Sequence, residues 1–167
     1  MKTIKRRRKE GKTDYSKRIK LLKGKKPRLV FRKTNKYVIA QYIISREAKD
    51  IVKLGINSKI LLKYGWPKEK QGSLKSISAA YLTGYLIGKI ILKNKFEEPI
   101  IDFGMIRIIY KTRVFAFLKG VKDSGLKIKC KDEAFPKEDR IMKKDININE
   151  IKMKIDEDKP FEKVSKG

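Results

Sequence analysis

Histidine is absent from the 167-residue chain, and cysteine occurs once, at Cys130. Without histidine there is no His-based metal site, no Ser-His-Asp triad and no imidazole group for acid–base catalysis. A single cysteine cannot form an intramolecular disulfide, so the fold does not rely on an oxidising compartment. These two absences exclude the commonest catalytic sites and indicate an intracellular protein.

Long apolar segments are absent as well. The longest stretch without a charged residue, 76–88, is shorter than the about 20 residues that a membrane helix needs. The N-terminus is basic but no apolar segment follows it, which argues against a signal peptide. Glycine-rich phosphate loops of the Walker A and G-x-G-x-x-G types are missing too. We therefore expect no membrane-spanning segment and no cofactor.

Acidic residues are scarce relative to basic ones. The chain has 19 Asp and Glu against 45 Lys and Arg, a net charge of +26. That charge far exceeds the about 2–8 that keeps a small domain soluble. A polyanionic partner balances such an excess, and nucleic acid is the first candidate, with an acidic membrane surface second.

Positive charge is concentrated towards the N-terminus. Residues 1–36 have a net charge of +15, residues 37–130 of +11, and residues 131–167 of zero. This asymmetry is typical of a basic arm attached to a folded body. We expect a basic arm at 1–26, an α/β domain at 27–130 and a charge-neutral C-terminal extension at 131–167.

The arm contains one segment that is compatible with a short helix, residues 14–24. Tyr15, Ile19 and Leu22 share one face of that helix, and Gly24 is a suitable stop. The rest of the arm has too little apolar area to fold alone. A nuclear or nucleolar address, or a solvated tail, is the alternative explanation of its charge.

Apolar patterning predicts a β-hairpin followed by a third strand. Residues 28–33 and 37–44 are rich in β-branched and aromatic side chains, and three turn residues join them. The third strand is expected within 51–62, interrupted near Gly55. Gly65 then marks a loop.

A long helix is predicted over 73–94, with Ser73 or Ser76 as its N-cap. Its stripe of small residues would let the helix approach a sheet closely; the stripe consists of Ala80, Gly84 and Gly88. A strand at 100–103, a helix at 112–122 and a strand at 126–128 complete the pattern. The order indicates an α/β sheet with helices packed on its faces.

The hairpin carries the residue types most suited to binding nucleic acid. Arg28 and Arg32 lie on one strand face, because their spacing is even. Arg and Lys bind phosphate, whereas Thr and Asn reach phosphate, ribose hydroxyl or a base edge. A phosphate near Arg113 would relieve the unfavourable position of this cation at a helix start. A solvated, charged turn is the alternative interpretation of the hairpin.

Carboxylates show no catalytic spacing in the body of the chain. A two-metal nuclease needs several converging carboxylates, and six of the body's acids, at 47, 50, 97, 98, 102 and 123, show no such spacing. Asp102 ends a predicted strand and is interpreted as a turn or capping residue. Trp66, Tyr81 and Tyr85 are interpreted as core or interface residues. We therefore expect no enzymatic activity and no metal site.

Six segments occur in an order that is typical of one known family: 24–35, 40–41, 64–66, 79–84, 102–104 and 115–126. Over residues 15–140 the chain resembles the large-subunit ribosomal protein eighteen family, in its archaeal and eukaryotic branch. After residue 126 the family usually has Ile-Pro-His, where this chain has Lys127, Ile128 and Lys129. Contacts of the C-terminal part therefore transfer least well.

This resemblance implies a ribonuclease-H-like mixed sheet with helices on its faces and a basic N-terminal extension. It implies a non-catalytic, cytoplasmic protein of the large subunit with no membrane partner. Its implied partners are 5S rRNA, the 23S/28S-type rRNA and the ribosomal protein of the family numbered five, all in the central protuberance. A general nucleic-acid chaperone or chromatin-type protein, and a metal-dependent nuclease, are the alternatives.

The RNA contacts that the resemblance and the charge pattern together predict lie in the arm, in the hairpin and on the second helix of the body. These residues are Lys5, Arg6, Arg7, Arg8, Lys9, Lys17, Arg18, Lys25, Lys26, Arg28, Arg32, Lys33, Thr34, Asn35, Lys36, Gln41, Arg113 and Lys119.

Overall fold

The computed structural model describes residues 3–46, 49–142 and 146–157. Within them, four strands form one mixed sheet in the order β3-β2-β1-β4. β2 pairs antiparallel with both β1 and β3, whereas β4 runs parallel to β1. The strands are β1 (Arg28–Lys33), β2 (Val38–Arg46), β3 (Lys49–Asn57) and β4 (Ile100–Asp102). The mixed, ribonuclease-H-like α/β sheet that we expected is confirmed.

The described residues also contain six α-helices and three short 3₁₀ helices. Two helices belong to the arm, two pack on the sheet, and two lie in the neutral extension. The α-helices are α1 (Arg6–Lys9), α2 (Tyr15–Lys23), α3 (Ile77–Lys93), α4 (Arg113–Asp123), α5 (Glu138–Ile141) and α6 (Ile148–Glu157). The 3₁₀ helices are Ser58–Tyr64, Lys68–Ser73 and Asp132–Ala134. None of these helices is long and apolar enough to span a bilayer.

The predicted hairpin is confirmed, and Thr34 closes it. The Thr34 hydroxyl donates to the Tyr37 carbonyl at 2.9 Å and accepts from the Tyr37 amide at 2.9 Å. Side chains alternate along β1, so Leu29 and Phe31 are fully buried while Arg28 and Arg32 point to the other face. The Phe31 ring lies 4.8 Å from Phe117 of α4, which places the helices on the Leu29 side of the sheet.

The third strand differs from its prediction. It begins earlier than expected and continues through Gly55 to Asn57 without the expected interruption. The Asn57 side chain then accepts from the Lys59 amide at 3.2 Å and starts a 3₁₀ helix. The apolar residues at 60–62 therefore belong to that helix. A Cβ atom at Gly55 would meet Val52 and Gln41 at ordinary van der Waals distances, so packing does not require glycine at this position of β3.

The central helix α3 is confirmed, with Ser76 as its N-cap. Ser76 Oγ accepts from the Ala79 amide at 3.2 Å. The expectation that its small residues face the sheet is wrong, because they face α4. A Cβ atom at Gly84 would collide with the Phe117 carbonyl, and one at Gly88 would collide with Ser124. The two helices thus cross in backbone contact.

The predicted strand at 126–128 is not formed. Residues 126–131 have no regular secondary structure, and the sheet ends at β4. Leu126 is buried, and Ile128 and Cys130 pack against the core, whereas Lys127 and Lys129 are exposed. The alternating pattern therefore belongs to a segment without regular secondary structure that pairs with none of the four described strands.

The neutral extension packs on α3. Ile151 and Ile155 of α6 are buried, and the Tyr85 hydroxyl donates to Asp156 at 2.9 Å. Ser78 Oγ donates to the Ile141 carbonyl at 2.6 Å, which attaches α5. Trp66, Tyr81 and Tyr85 are also buried in this region, so their interpretation as core residues is confirmed.

Candidate nucleic-acid interface

Arg28 lies at the centre of an ion-pair network on the sheet face opposite α3 and α4. Its side chain is 4% exposed. Its Nη2 donates to Asp50 Oδ1 at 2.7 Å and to Ser45 Oγ at 3.0 Å, and its Nη1 to Asp102 Oδ2 at 3.1 Å. Its buried Nε has no hydrogen-bond partner among the described residues. Since this charge is hidden and neutralised, Arg28 serves the fold, and its position does not support the predicted RNA contact.

Asp50, in β3, joins Arg28 to the arm. Its Oδ2 accepts from Arg18 Nη2 at 2.8 Å, and its Oδ1 accepts from Ser45 Oγ at 2.7 Å. Burial alone would raise the pKa of Asp50. Hydrogen bonds from Ser45, Arg28 and Arg18 outweigh burial, and the pKa lies below its ordinary value. The ionised carboxylate therefore holds an arginine of the arm and an arginine of the sheet at once.

Asp102 is a turn residue, as predicted, and it also forms an ion pair with Arg28. Its Oδ1 accepts from the Gly104 amide at 2.7 Å, which closes the turn after β4. Its Oδ2 takes the ion pair with Arg28, and only 7% of the side chain is exposed. The carboxylate is thus fully engaged inside the protein.

Arg32 occupies the exposed end of the same row, with 43% of its side chain accessible. Its Nη1 donates to the carbonyls of Phe31 at 2.8 Å and Asp102 at 3.2 Å. Gly104 has a φ of 58°, and a Cβ there would lie 3.0 Å from the guanidinium. Burial lowers the pKa of Arg32; Asp102 opposes this effect and Arg28 reinforces it. An added phosphate would offset the desolvation.

The arm helix α2 is docked beside this face of the sheet. Arg18 pairs with Asp50, and Lys17 Nζ donates to the Gly104 carbonyl at 3.2 Å. A cleft of about 210 Å³ opens between the arm and the sheet. Six of the predicted RNA-binding residues line it: Arg7, Lys17, Arg18, Arg28, Arg32 and Gln41. The fold thus brings together residues that are far apart in sequence.

The hairpin turn presents a separate, exposed group of side chains. Lys33, Asn35 and Lys36 are exposed, and none of the three has a hydrogen-bond or ion-pair partner among the described residues. Thr34 is also exposed, but its hydroxyl is used within the turn. The turn therefore offers two cations and one amide on a rigid support.

The remaining arm residues have local partners or face solvent. Lys5 Nζ lies 4.7 Å above the Tyr15 ring, Arg6 pairs with Glu10 at 3.2 Å, and Arg7 donates to Thr13 at 3.0 Å. The other predicted arm residues are exposed: Arg8, Lys9, Lys25 and Lys26.

Arg113 lies apart from the cleft, in a groove of about 570 Å³ beside the start of α4. Lys33 lines the same groove from the end of β1. Three cations that sequence reasoning missed complete its basic lining: Arg107, Lys111 and Arg140. The apolar run between Arg107 and Lys111 resembles a buried strand in sequence, yet the structure leaves Ile108 and Ile109 about half exposed.

Lys119 belongs to neither the cleft nor the groove. Its Nζ lies 3.4 Å from Glu138 Oε1, and its side chain is only 19% exposed. The predicted RNA contact at this position therefore competes with an existing ion pair.

The chemistry of these surfaces is electrostatic. Among the described residues there is no cluster of three or more His, Cys, Asp or Glu side chains that could hold a metal ion. The carboxylates closest to the site, those of Asp50 and Asp102, are bound to arginine. The arrangement can bind phosphate and position an RNA backbone.

Comparison with known proteins gives consistent matches. Residues 1–99 match the family described as "Ribosomal large subunit proteins 60S L5, and 50S L18". The chain is 47% identical to the large ribosomal subunit protein uL18 of Korarchaeum cryptofilum, over 81% of this chain and 68% of that protein. It is 44% identical to the uL18 protein of Methanothermobacter thermautotrophicus, over 81% of this chain and 69% of that protein. It is also 42% identical to the uL18 protein of Methanosphaera stadtmanae, over 81% and 68%.

Proposed function

Because the chain belongs to the family of large-subunit ribosomal proteins 60S L5 and 50S L18, we propose that it binds 5S rRNA and helps to anchor it to the large rRNA. Membership of this family makes it an RNA-binding ribosomal protein of the large subunit and not an enzyme. Its place is in the ribosome, within the cytoplasm. Beyond family membership, we propose 5S rRNA as its RNA partner and the central protuberance as its position in the subunit.

The hairpin turn is the observation that carries the proposal. Lys33 and Lys36 are exposed on a turn that Thr34 holds rigid, and Asn35 between them is free to reach a base edge or a ribose hydroxyl. A preorganised support reduces the entropy that must be lost when RNA binds. The turn therefore supplies a fixed set of phosphate and base contacts.

The cleft next to the arm supplies the second part of the proposed interface. Arg32 is half exposed, and its ion pair with Asp102 Oδ2 is long, at 3.9 Å. Lys17 and Arg18 anchor the arm on the sheet through Gly104 and Asp50. This docking directs α1 and its exposed cations along the RNA that the hairpin contacts.

The partners that we propose for the chain are those expected of a family member in the central protuberance of the large subunit. A net charge of +26 requires many phosphates, and contacts with two rRNA molecules at once would supply them. The large-subunit ribosomal protein of the family numbered five is the proposed protein partner.

A competition assay tests the proposal. Labelled 5S rRNA bound to the full chain near 200 mM salt is challenged with unlabelled 5S rRNA, tRNA or duplex DNA. We expect 5S rRNA to compete best, because shape-specific contacts add to the general attraction of phosphate. Equal competition by all three would refute the proposal in favour of a general nucleic-acid chaperone.

A salt series checks the electrostatic part separately. If about 6–10 phosphates are contacted, affinity falls roughly 10³- to 10⁵-fold between 50 and 200 mM salt. A nearly flat response would contradict the electrostatic explanation.

A further inference from the structure

The groove beside α4 opens at a particular place in the fold. Strands β1 and β4 are parallel, so both end at the same edge of the sheet. The chain leaves β1 towards β2 but leaves β4 towards α4, and the two connections diverge. In α/β sheets, a crevice where connections diverge at the carboxyl ends of strands is a common ligand site. The groove lies in such a crevice, between Lys33 and residues 106–114.

Its charge is of one sign. Among the described residues, no carboxylate lines the groove. Its lining includes five cations: Lys33, Arg107, Lys111, Arg113 and Arg140. None of the five makes an ion pair within the described part of the chain, whereas Lys119 and Lys122 of the adjacent helix are both paired. Five unpaired cations around one groove favour an anionic occupant.

The floor of the groove is apolar. Phe31 lines it together with the aliphatic side chains of Ile77, Ile106, Ile109 and Val114. A polyanion that has only phosphates to offer would leave this floor in contact with water. A nucleotide offers both a phosphate and a flat, weakly polar base, so it matches both parts of the lining.

The wall of the groove is held in place by the backbone of Lys111. This residue has a φ of 58°, a conformation that side-chain-bearing residues rarely adopt. Its amide donates to the Ala134 carbonyl at 2.9 Å, and its carbonyl accepts from Arg140 at 3.4 Å. Both backbone groups are therefore fixed before any ligand binds, which lowers the entropy lost on binding.

We propose that this groove binds one unpaired nucleotide of the RNA, with the base on the apolar floor and the phosphate among the cations. The proposal rests on the function proposed above, because Lys33 belongs both to the hairpin surface and to the groove. An RNA strand that contacts the turn is thereby led directly into the groove. A volume of about 570 Å³ leaves room for a single nucleotide.

A pair of matched variants tests this site. The groove variant combines Arg107→Ala with Lys111→Gly, since glycine accepts the positive φ of position 111. The control variant combines Lys127→Ala with Lys129→Ala, which removes two exposed cations outside the groove. The melting temperature of each variant is measured first, so that a folding defect is not taken for a binding defect.

Binding is measured with decauridylate and with a ten-base-pair RNA duplex, and then with 5S rRNA. We expect the groove variant to lose roughly tenfold more affinity for decauridylate than the control does, because unpaired bases gain from stacking and apolar contacts. Both variants should lose similar affinity for the duplex. With 5S rRNA, the groove variant should again be the weaker binder.

The outcomes separate the two proposals. Equal losses in both variants for every RNA would overturn the nucleotide site, while selective binding of 5S rRNA by the unmodified chain would still support the function. Loss of decauridylate binding in a chain that does not prefer 5S rRNA would support the groove and refute the function.

Discussion

Replacement of Arg28 by Met separates the residues that stabilise the fold from those that bind RNA. In the structure Arg28 is hidden beneath the arm, and its guanidinium neutralises Asp102 and shares Asp50 with Arg18. Met keeps much of the apolar stem of the side chain and removes the charge. The variant leaves the Asp102 carboxylate buried with Arg32 as its nearest cation, at 3.9 Å.

The loss of unfolding free energy expected for Arg28→Met depends on which charges lose their partners. Removing one member of a buried ion pair costs about 3–5 kcal/mol, because the other charge stays desolvated. Asp102 keeps its hydrogen bond from the Gly104 amide, and Asp50 keeps Arg18 at 2.8 Å. We therefore expect the lower part of the range, about 3–4 kcal/mol. For a chain of this size, about 2–4 °C per kcal/mol corresponds to a fall in melting temperature of roughly 6–16 °C.

Urea unfolding at low temperature measures the free energy, and 5S rRNA titration under conditions in which the variant is folded measures binding. We expect an affinity within about threefold of the unmodified chain, since Arg28 is only 4% exposed. Arg32→Met is the matched control; it should lose less stability and more affinity. A fall of more than tenfold in the affinity of folded Arg28→Met would refute the structural assignment of this residue.

Two further predictions concern the anchor of the arm and the crossing of the helices. The pKa of Asp50 is lowered on folding, so its contribution to stability is present above the ordinary value near 3.8 and is lost as the pH falls below it. The difference in unfolding free energy between the unmodified chain and Asp50→Asn should be constant from about pH 5 to 7 and shrink below about pH 4; a difference that grows in acid would contradict this. Gly84→Ala places a Cβ against the Phe117 backbone and should cost about 1–3 kcal/mol in urea unfolding. Gly72→Ala, with no atom within 4 Å of the new Cβ, should be nearly neutral, and equal costs would show that the crossing is not tightly packed.

Local patterns were sufficient where an element is defined by its own residues. The alternation in β1 and β2 and the turn chemistry of Thr34 predicted the hairpin, and Ser76 predicted the start of α3. Local patterns failed where an element depends on another part of the chain that pairs with it or packs against it. The strand expected at 126–128 alternates correctly, but none of the strands in the described residues pairs with it. The small residues of α3 indicate a close contact, but they do not show whether a sheet or another helix makes it.

In the candidate site, too, features set by neighbouring residues were predictable and features set by distant residues were not. Even spacing correctly placed Arg28 and Arg32 on one face of β1, but it could not show that their exposure differs about tenfold. The difference arises because Asp50 and Asp102, which lie 22 and 74 residues from Arg28, converge on that side chain. Such long-range pairs leave no signal in a local pattern of charge. The groove cations Arg107 and Arg140 were missed for the same reason.

The arrangement of layers favours one end of the sheet as the proposed RNA-binding surface. One face of the sheet is filled by α3 and α4, and the arm helix α2 with the Arg28 network occupies the other. The inner strand β1, which is buried over most of its length, therefore cannot present a flat platform on which bases stack. Two parts of the sheet stay accessible: the first half of the outer strand β3, and the end at which β1 and β4 both terminate, where the hairpin turn and the loop after β4 emerge. The unpaired cations Lys33, Arg107 and Lys111 collect at this end, so the topology of the sheet, more than the total charge, places the surface that we propose to bind RNA.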